Sequence, residues 1–321
     1  MTTLEELEAQ KSKLEEEIKE LKRQARRRTV HLPTEQEKAQ EQEFNRQQLA
    51  GKTPMPLVPR VDLESLVGSE AYERTLTAEA IRDTYITTLR GITLKYKAPN
   101  RRALWQSAGQ EYIEPDLLDF IDTIEPEETY FDIGASTGIF AIYAAARGIN
   151  TVCFEPEVQN FNLLNFNSFL NNEQTNGKIK NFNLALSDTD GVDEMYIKKF
   201  EEAGHLKILG SPQARGESNE FTAEYRQSVL TLRLDTFMSI ANLSLPTHLK
   251  IDIDGAEKKL LLGMGDLLAN RTIRSICIEI LDNDQSSLHS LDILKSHGFE
   301  ITHKVRVQNY FGEHNYFLQR H

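Results

Sequence analysis

Two acidic residues and two glycines, Asp132, Gly134, Gly138 and Glu155, are spaced as in a nucleotide-cofactor site. Glycine permits backbone conformations and close approaches that a Cβ would block. An acid about 20 residues beyond such a turn is placed to accept hydrogen bonds from ribose hydroxyls. The spacing is D-x-G-x-x-x-G, whereas a dinucleotide site has G-x-G-x-x-G and rests a pyrophosphate on helix N–H groups. The carboxylate of Asp132 would repel a pyrophosphate, so the pattern favours a cationic adenosine cofactor such as S-adenosylmethionine.

The segments around these residues read as one βαβ unit. An apolar run at 129–131 precedes the turn, an alanine-rich segment at 139–146 follows it, and a second apolar run at 151–154 ends in Glu155 and Pro156. Strand, glycine turn, helix, strand and acid is the order that binds an adenosine moiety at the carboxyl ends of parallel strands. An ordinary strand-to-helix turn without a ligand is the alternative.

A second acidic motif follows another apolar run and contains Asp252, Asp254 and Glu257. In a doubly wound sheet this fourth strand lies beside the first, so the three acids would converge where the methyl group reacts. They could raise one pKa to create a base, or together hold a divalent cation. The alternative is that Asp254 caps the next helix and Glu257 pairs with its dipole. His205 and His248 are the less favoured candidates for the base.

Two further segments have predicted roles at the site. A third strand at 179–186 would bring Asn183 and Ala185 to the adenine. The segment 198–227 is long, polar and contains glycine. Loops of this length in compact domains are usually functional or disordered, so we predict a lid or an acceptor-binding loop there.

Composition excludes several classes of protein. The 321-residue chain has a formal net charge of −12, which argues against general nucleic-acid binding. Its two cysteines, Cys153 and Cys277, lie in apolar runs, as expected for buried, reduced thiols in a cytoplasmic protein. No apolar run reaches membrane-spanning length and no signal peptide opens the chain, so we predict a soluble intracellular protein.

The chain is predicted to have four parts. Residues 1–28 carry an a/d pattern typical of a coiled-coil helix and predict a homo-oligomer, and residues 29–61 read as a linker or arm. Residues 62–110 form an N-terminal helical cap, with helical spacing to Leu89 and a short strand at 94–97. In residues 111–321 strands and helices alternate until a terminal hairpin at 301–307 and 315–319. This pattern predicts an α/β domain with a mostly parallel sheet and a reversed edge strand.

Three motifs together resemble the FkbM-type methyltransferase family: residues 131–138, 154–156 and 250–257. Glu114 before the first strand, Asn160 and Asn167 in the helix after Pro156, and residues 185–188 are similar to it too. The resemblance covers about residues 101–321. It implies a Rossmann-like class I methyltransferase sheet, S-adenosylmethionine as methyl donor, and O-methylation of a sugar, polysaccharide or polyketide hydroxyl.

The motifs and the resemblance together give the predicted site. Catalysis is assigned to Asp252, Asp254 and Glu257, and the metal, if there is one, stays unidentified. Cofactor binding is assigned to the following residues: Glu114, Asp132, Gly134, Ala135, Ser136, Thr137, Gly138, Glu155, Pro156, Asn183, Ala185 and Asp252. Two rival interpretations stay open: an NAD-type oxidoreductase, and a non-catalytic oligomeric module with a vestigial cofactor site.

Overall fold

The computed structural model describes residues 84–213, 220–307 and 312–320. The predicted coiled coil at 1–28, the linker at 29–61 and the first part of the cap, 62–83, lie outside the described residues. The oligomer inferred from the coiled coil therefore stays a prediction.

The described elements alternate as the sequence predicts. In chain order the strands are β1 (Thr84–Leu89), β2 (Ile92–Lys97), β3 (Thr129–Ile133), β4 (Asn150–Phe154), β5 (Ile179–Phe182), β6 (Ala185–Leu186), β7 (Gly191–Ile197), β8 (Lys207–Leu209), β9 (Tyr225–Leu232), β10 (His248–Ile251), β11 (Ser275–Leu281), β12 (Glu300–Arg306) and β13 (Glu313–Gln319). The helices are α1 (Arg101–Ile113), α2 (Pro115–Asp122), α3 (Ile139–Ala146), α4 (Val158–Leu170), α5 (Asn172–Thr175), α6 (Leu234–Ala241), α7 (Glu257–Gly263) and α8 (Gln285–Ser296), with a 3-10 turn at Gly265–Ala269.

Seven strands form the central sheet, in the order β12-β13-β11-β10-β3-β4-β5. Neighbouring strands from β11 to β5 run parallel, while β13 is antiparallel to both β11 and β12. The predicted mostly parallel α/β sheet is confirmed. The reversed strand is β13, and it lies one place in from the edge because β12 pairs outside it.

Helices cover both faces of this sheet, which explains the continuous apolar runs in its strands. Every residue of β3 is buried, and successive side chains point to opposite faces. Tyr130 packs in the core with α2 and α3, whereas Phe131 packs in the core with α6, α7 and α8. Both cysteines are free and buried.

The helical spacing predicted up to Leu89 is wrong for residues 84–89. These residues form β1, which pairs with β2 in antiparallel register from Thr84 opposite Lys97 to Leu89 opposite Ile92. Arg90 and Gly91 both have positive φ, 47° and 86°, the backbone of a tight hairpin turn. The run of β-branched and aromatic residues outweighed the apolar spacing. The strand predicted at 94–97 is confirmed within β2.

The predicted third strand at 179–186 divides between two sheets. β5 ends at Phe182 in the central sheet, and β6 pairs with β9 in a four-stranded sheet of order β6-β9-β7-β8. The segment predicted as a loop at 198–227 contains the short strand β8, and its residues 214–219 lie outside the described part. Within the described ranges, no helix is long and apolar enough to cross a membrane.

Candidate active site

The glycine turn after β3 depends on its glycines because of close packing against the protein itself. Gly134 and Gly138 have φ of 83° and 80°. A Cβ on Gly134 would overlap the backbone oxygen of Asp252, and one on Gly138 would overlap the side chain of Leu164. Gly134 therefore lets the tips of β3 and β10 approach, and Gly138 lets α4 pack over the turn.

Glu155, at the tip of β4, holds the turn from the other side. Its Oε2 accepts a hydrogen bond from the N–H of Ser136 at 2.8 Å, and its Oε1 accepts one from the N–H of Glu157 at 2.8 Å. Each oxygen keeps a second lone pair that can accept from a ligand hydroxyl. Burial raises the pKa of Glu155 to about 7, and the hydrogen bond from Glu157 partly opposes this shift.

Lys250 is the centre of a buried charge cluster that the sequence reasoning missed. Its Nζ donates to the backbone oxygen of Gly134 at 3.0 Å and lies 3.1 Å from Asp252 Oδ2 and 3.5 Å from Asp132 Oδ1. Burial opposes the charge of Lys250, but the carboxylates around it, first of all Asp252, hold its pKa well above its usual value. The signal was present in the sequence, because a lysine between two apolar residues of a buried strand needs a counterion.

Asp132 faces this lysine. The carboxyl is almost fully buried, and burial raises its pKa while Lys250 lowers it. Within the described structure, Oδ1 of Asp132 has no hydrogen-bond donor closer than the Lys250 ammonium at 3.5 Å, and the residue lines the cavity. Asp132 was expected to interact, directly or indirectly, with the ammonium group of the methyl donor, and in this structure it faces the ammonium of Lys250. The interaction of Asp132 with the methyl donor stays a prediction.

Glu114 completes the cluster. It lies between α1 and α2, and its Oε2 accepts a hydrogen bond from Asn315 Nδ2 at 2.9 Å. Burial raises the pKa of Glu114 to about 7, with Lys250 acting in the opposite direction. With Asp132 and Asp252 it places three carboxyl groups around one ammonium. This imbalance favours a ligand that carries positive charge.

The three predicted catalytic acids do not converge. Asp252 and Asp254 line the cavity, and the Asp252 side chain is 32% exposed. Glu257 is buried below the cavity, where its Oε1 accepts from the N–H of Gly255 at 3.0 Å. Among the described residues, no three His, Cys, Asp or Glu side chains are grouped so that they could hold a metal ion. The shared cluster was wrong because the first turn of α7 carries Glu257 into the core.

The two candidate histidines lie in different places. His248 begins β10, at the opposite end of the strand from the cavity, and its ring nitrogens contact Ser275 Oγ and Glu128 Oε2 at 2.6 and 2.9 Å. It cannot reach a substrate over the strand tips, so its candidacy as a base is withdrawn. His205 does line the cavity, and desolvation and the charge of Arg102 lower its pKa.

The cavity extends over the carboxyl ends of β3, β4 and β10 and has a volume of about 400 Å³, within the usual range for ligand sites. Ten of the twelve predicted cofactor residues line it: Glu114, Asp132, Gly134, Ala135, Ser136, Thr137, Glu155, Pro156, Ala185 and Asp252. Gly138 instead packs on α4, and Asn183 instead donates to the backbone oxygens of Glu155 and Pro156 at 2.9 and 3.0 Å. The opposite side of the cavity comes from α1, which the sequence did not indicate, and from residues 204–209, which belong to the segment predicted as a lid or an acceptor-binding loop.

These features fit an adenosine-type methyl donor. The glycine turn and Glu155 line the cavity, each carboxylate oxygen of Glu155 keeps a lone pair for a ligand hydroxyl, and the carboxyl groups around Lys250 outnumber its single positive charge. Parallel strand tips, a glycine turn and acids on neighbouring strands define a nucleotide-cofactor enzyme of the Rossmann-like class. The residues that would hold the donor are the turn, Glu155 and the acids around Lys250.

Comparison with known proteins identifies the family. Residues 132–301, more than half of the chain, match the family model described as the methyltransferase FkbM domain. The chain belongs to the FkbM methyltransferase family. It is a methyltransferase that uses S-adenosylmethionine, and not a nicotinamide-dependent oxidoreductase.

Two relatives are similar over most of their own length. The hexuronic acid methyltransferase AglP of Haloferax volcanii is 20% identical over 205 residues, which are 64% of this chain and 77% of the relative. The 31-O-demethyl-FK506 methyltransferase FkbM of Streptomyces tacrolimicus is 25% identical over 202 residues, 56% of this chain and 75% of that protein. Among solved structures, magnesium protoporphyrin IX methyltransferase of Synechocystis with bound donor aligns at a TM-score of 0.41 and 10% identity, covering 69% of this chain and 85% of that chain.

Replacing Glu155 with alanine is expected to weaken binding of S-adenosylmethionine by roughly ten- to a hundred-fold, the effect of losing hydrogen bonds to a charged group. Because burial raises the pKa of Glu155 to about 7, the carboxylate forms as the pH rises from 6 to 8. The ratio of wild-type to variant affinity should therefore increase over that range. Isothermal titration at both pH values measures it, with exposed Glu173→Ala as the control. Equal affinities in both proteins would remove the assignment.

Proposed function

We propose that this methyltransferase transfers the methyl group to a hydroxyl oxygen of a sugar-like acceptor, and that Asp252 receives the hydroxyl proton. The observation that carries the proposal is the position of Asp252. It follows β10 directly, lines the cavity beside the glycine turn, and keeps its carboxylate partly exposed while Lys250 holds one oxygen at 3.1 Å.

For methyl transfer to a hydroxyl oxygen, the protein must align the two reactants and provide a proton acceptor. When bound, S-adenosylmethionine supplies an electrophilic methyl group and leaves as neutral S-adenosylhomocysteine. The acceptor oxygen forms the new C–O bond as the C–S bond breaks, and its proton passes to Asp252. The oxygen becomes strongly acidic as that bond forms, so a carboxylate is a competent base. Most of the acceleration then comes from holding the two reactants in line.

Lys250 has a positioning role in this scheme. Its ammonium joins the carboxylate of Asp252 to the backbone oxygen of Gly134, and so fixes the proposed base relative to the cofactor turn. It is itself buried and held protonated by its neighbours, so it is not the base. Asp254 also lines the cavity, and we assign it to the acceptor side.

The relatives support a hydroxylated acceptor. The name of one states a hexuronic acid as its substrate, and the name of the other states an O-demethyl compound. Residues 204–209 line the cavity and belong to the segment 198–227, which we predicted to be a lid or an acceptor-binding loop. We therefore assign these residues to the acceptor side of the site.

A panel of hexuronic acids, neutral sugars and oligosaccharide fragments, assayed for S-adenosylhomocysteine release, tests the proposal. We expect turnover with at least one sugar class and a methyl ether in the product by mass spectrometry and NMR. A product methylated on nitrogen or carbon would contradict O-methylation. Donor binding without turnover on the whole panel would favour the non-catalytic module instead.

A further inference from the structure

Arg102 brings a positive charge to the wall of the cavity. It lies in the first turn of α1 and lines the cavity. Its Nε donates to the backbone oxygen of Ala203 at 2.6 Å, which leaves the two terminal nitrogens of the guanidinium group for other partners. No carboxylate of the described part of the chain pairs with it.

Where the structure describes the chain, the other two cationic residues that line the cavity, Lys207 and Lys250, already have carboxylate partners. Lys207 forms a buried ion pair with Glu157, and Lys250 lies among the acids at the strand tips. A partly buried guanidinium group loses part of its hydration, and without an anion beside it this loss is energetically unfavourable. Of the lysines and arginines that line the cavity within the described ranges, Arg102 is therefore the one available to an anionic ligand.

Arg102 is also close to the cofactor turn. Gln106, one helical turn later, contacts Thr137 Oγ1 through its Oε1 at 3.0 Å and donates to the oxygen of Ala203 at 3.4 Å. Arg102 and Gln106 thus share one backbone acceptor, and Gln106 reaches the glycine turn. Gln106 therefore links the position of the guanidinium group to the turn that would hold the amino-acid part of the methyl donor.

We propose that Arg102 binds a ligand carboxylate in this cavity. The planar guanidinium matches a carboxylate through two parallel N–H donors, a geometry that lysine cannot supply. Two ligands could provide this group: the methyl donor, through its α-carboxylate, and a hexuronic acid acceptor, through its sugar carboxylate. Only the second source rests on the proposed function.

Titration of Arg102→Gln with S-adenosylmethionine and with decarboxylated S-adenosylmethionine separates the two sources. If Arg102 binds the donor, the variant loses roughly ten- to a hundred-fold in affinity for the first ligand and little for the second. If it binds the acceptor, both donors bind as in the wild type. Binding of D-glucuronic acid, but not of D-glucose, to the protein saturated with S-adenosylhomocysteine is then weakened.

Two controls separate ligand binding from a structural effect. Arg101→Gln removes the same charge from the neighbouring exposed position and should leave all four ligands unaffected. Arg102→Lys retains the charge but loses the planar fork, so it should recover only part of the affinity. If the substitution acts only by removing the hydrogen bond to Ala203, binding of S-adenosylmethionine and of decarboxylated S-adenosylmethionine should weaken equally. Equal weakening of both donors, together with unchanged glucuronate binding, would overturn the proposal.

Discussion

Replacing Lys250 with methionine is expected to destabilise the folded protein by about 3–5 kcal/mol, the range for breaking a buried ion pair from one side. Methionine has a side chain of similar length and leaves no cavity. The lost stability therefore comes from the buried carboxyl groups that no longer have a counterion. Asp132 is almost fully buried and Glu114 is held in the same cluster, and both would lose their counterion.

The pH dependence distinguishes this electrostatic effect from poorer packing. Lys250 stays protonated between pH 5 and 8 because its pKa lies well above its usual value. Burial raises the pKa of Glu114 to about 7, and removing Lys250 raises it further. A protonated carboxyl needs no counterion, so the destabilisation should be largest at pH 8 and shrink towards pH 5.

Urea denaturation at the two pH values measures the difference in unfolding free energy between variant and wild type. Lys259→Met, at an exposed position of the following helix, should stay within about 0.5 kcal/mol of the wild type. A loss of equal size at pH 5 and pH 8 would show that Lys250 acts through packing alone.

The residues that the sequence located correctly share a local signature. Asp132, Glu155 and Asp252 each follow directly after an apolar run, and parallel strands bring such positions to one edge. Gly134 and Gly138 were recognised as special, but the reason differed. Packing of β10 and α4 against the turn requires them, which no single segment of the sequence could reveal.

The residues that were missed depend on contacts between distant segments. Arg102 reaches the cavity because α1 packs beside Ala203, about a hundred positions later in the chain. Lys250 joins Asp132, 118 positions earlier in the chain, to its nearer partner Asp252, which is only two residues away in the sequence. The prediction that Glu257 lies beside Asp252 was wrong for the opposite reason. The two residues are close in sequence, but a helical turn directs Glu257 into the protein interior.

Replacing Asp252 with asparagine is expected to lower kcat by roughly 10²- to 10⁴-fold, the usual contribution of a general base. Asparagine keeps the size and a hydrogen-bonding oxygen for Lys250 but cannot take up the hydroxyl proton. Binding of S-adenosylmethionine, which we assign mainly to the turn and to Glu155, should change far less. Initial rates of S-adenosylhomocysteine release with an acceptor found in the panel measure kcat, and titration of the donor measures affinity.

The control for Asp252→Asn is Asp266→Asn, which removes a carboxylate from an exposed position in the 3-10 turn and should leave both quantities unchanged. If proton transfer to Asp252 limits the rate, the initial rate of the variant stays low even at saturating S-adenosylmethionine, because a higher donor concentration cannot replace a base. If the loss disappears at high donor concentration, Asp252 only helps to hold the cofactor. A kcat equal to that of the wild type would place the proton acceptor elsewhere on the cavity wall, with Asp254 and His205 as the next candidates.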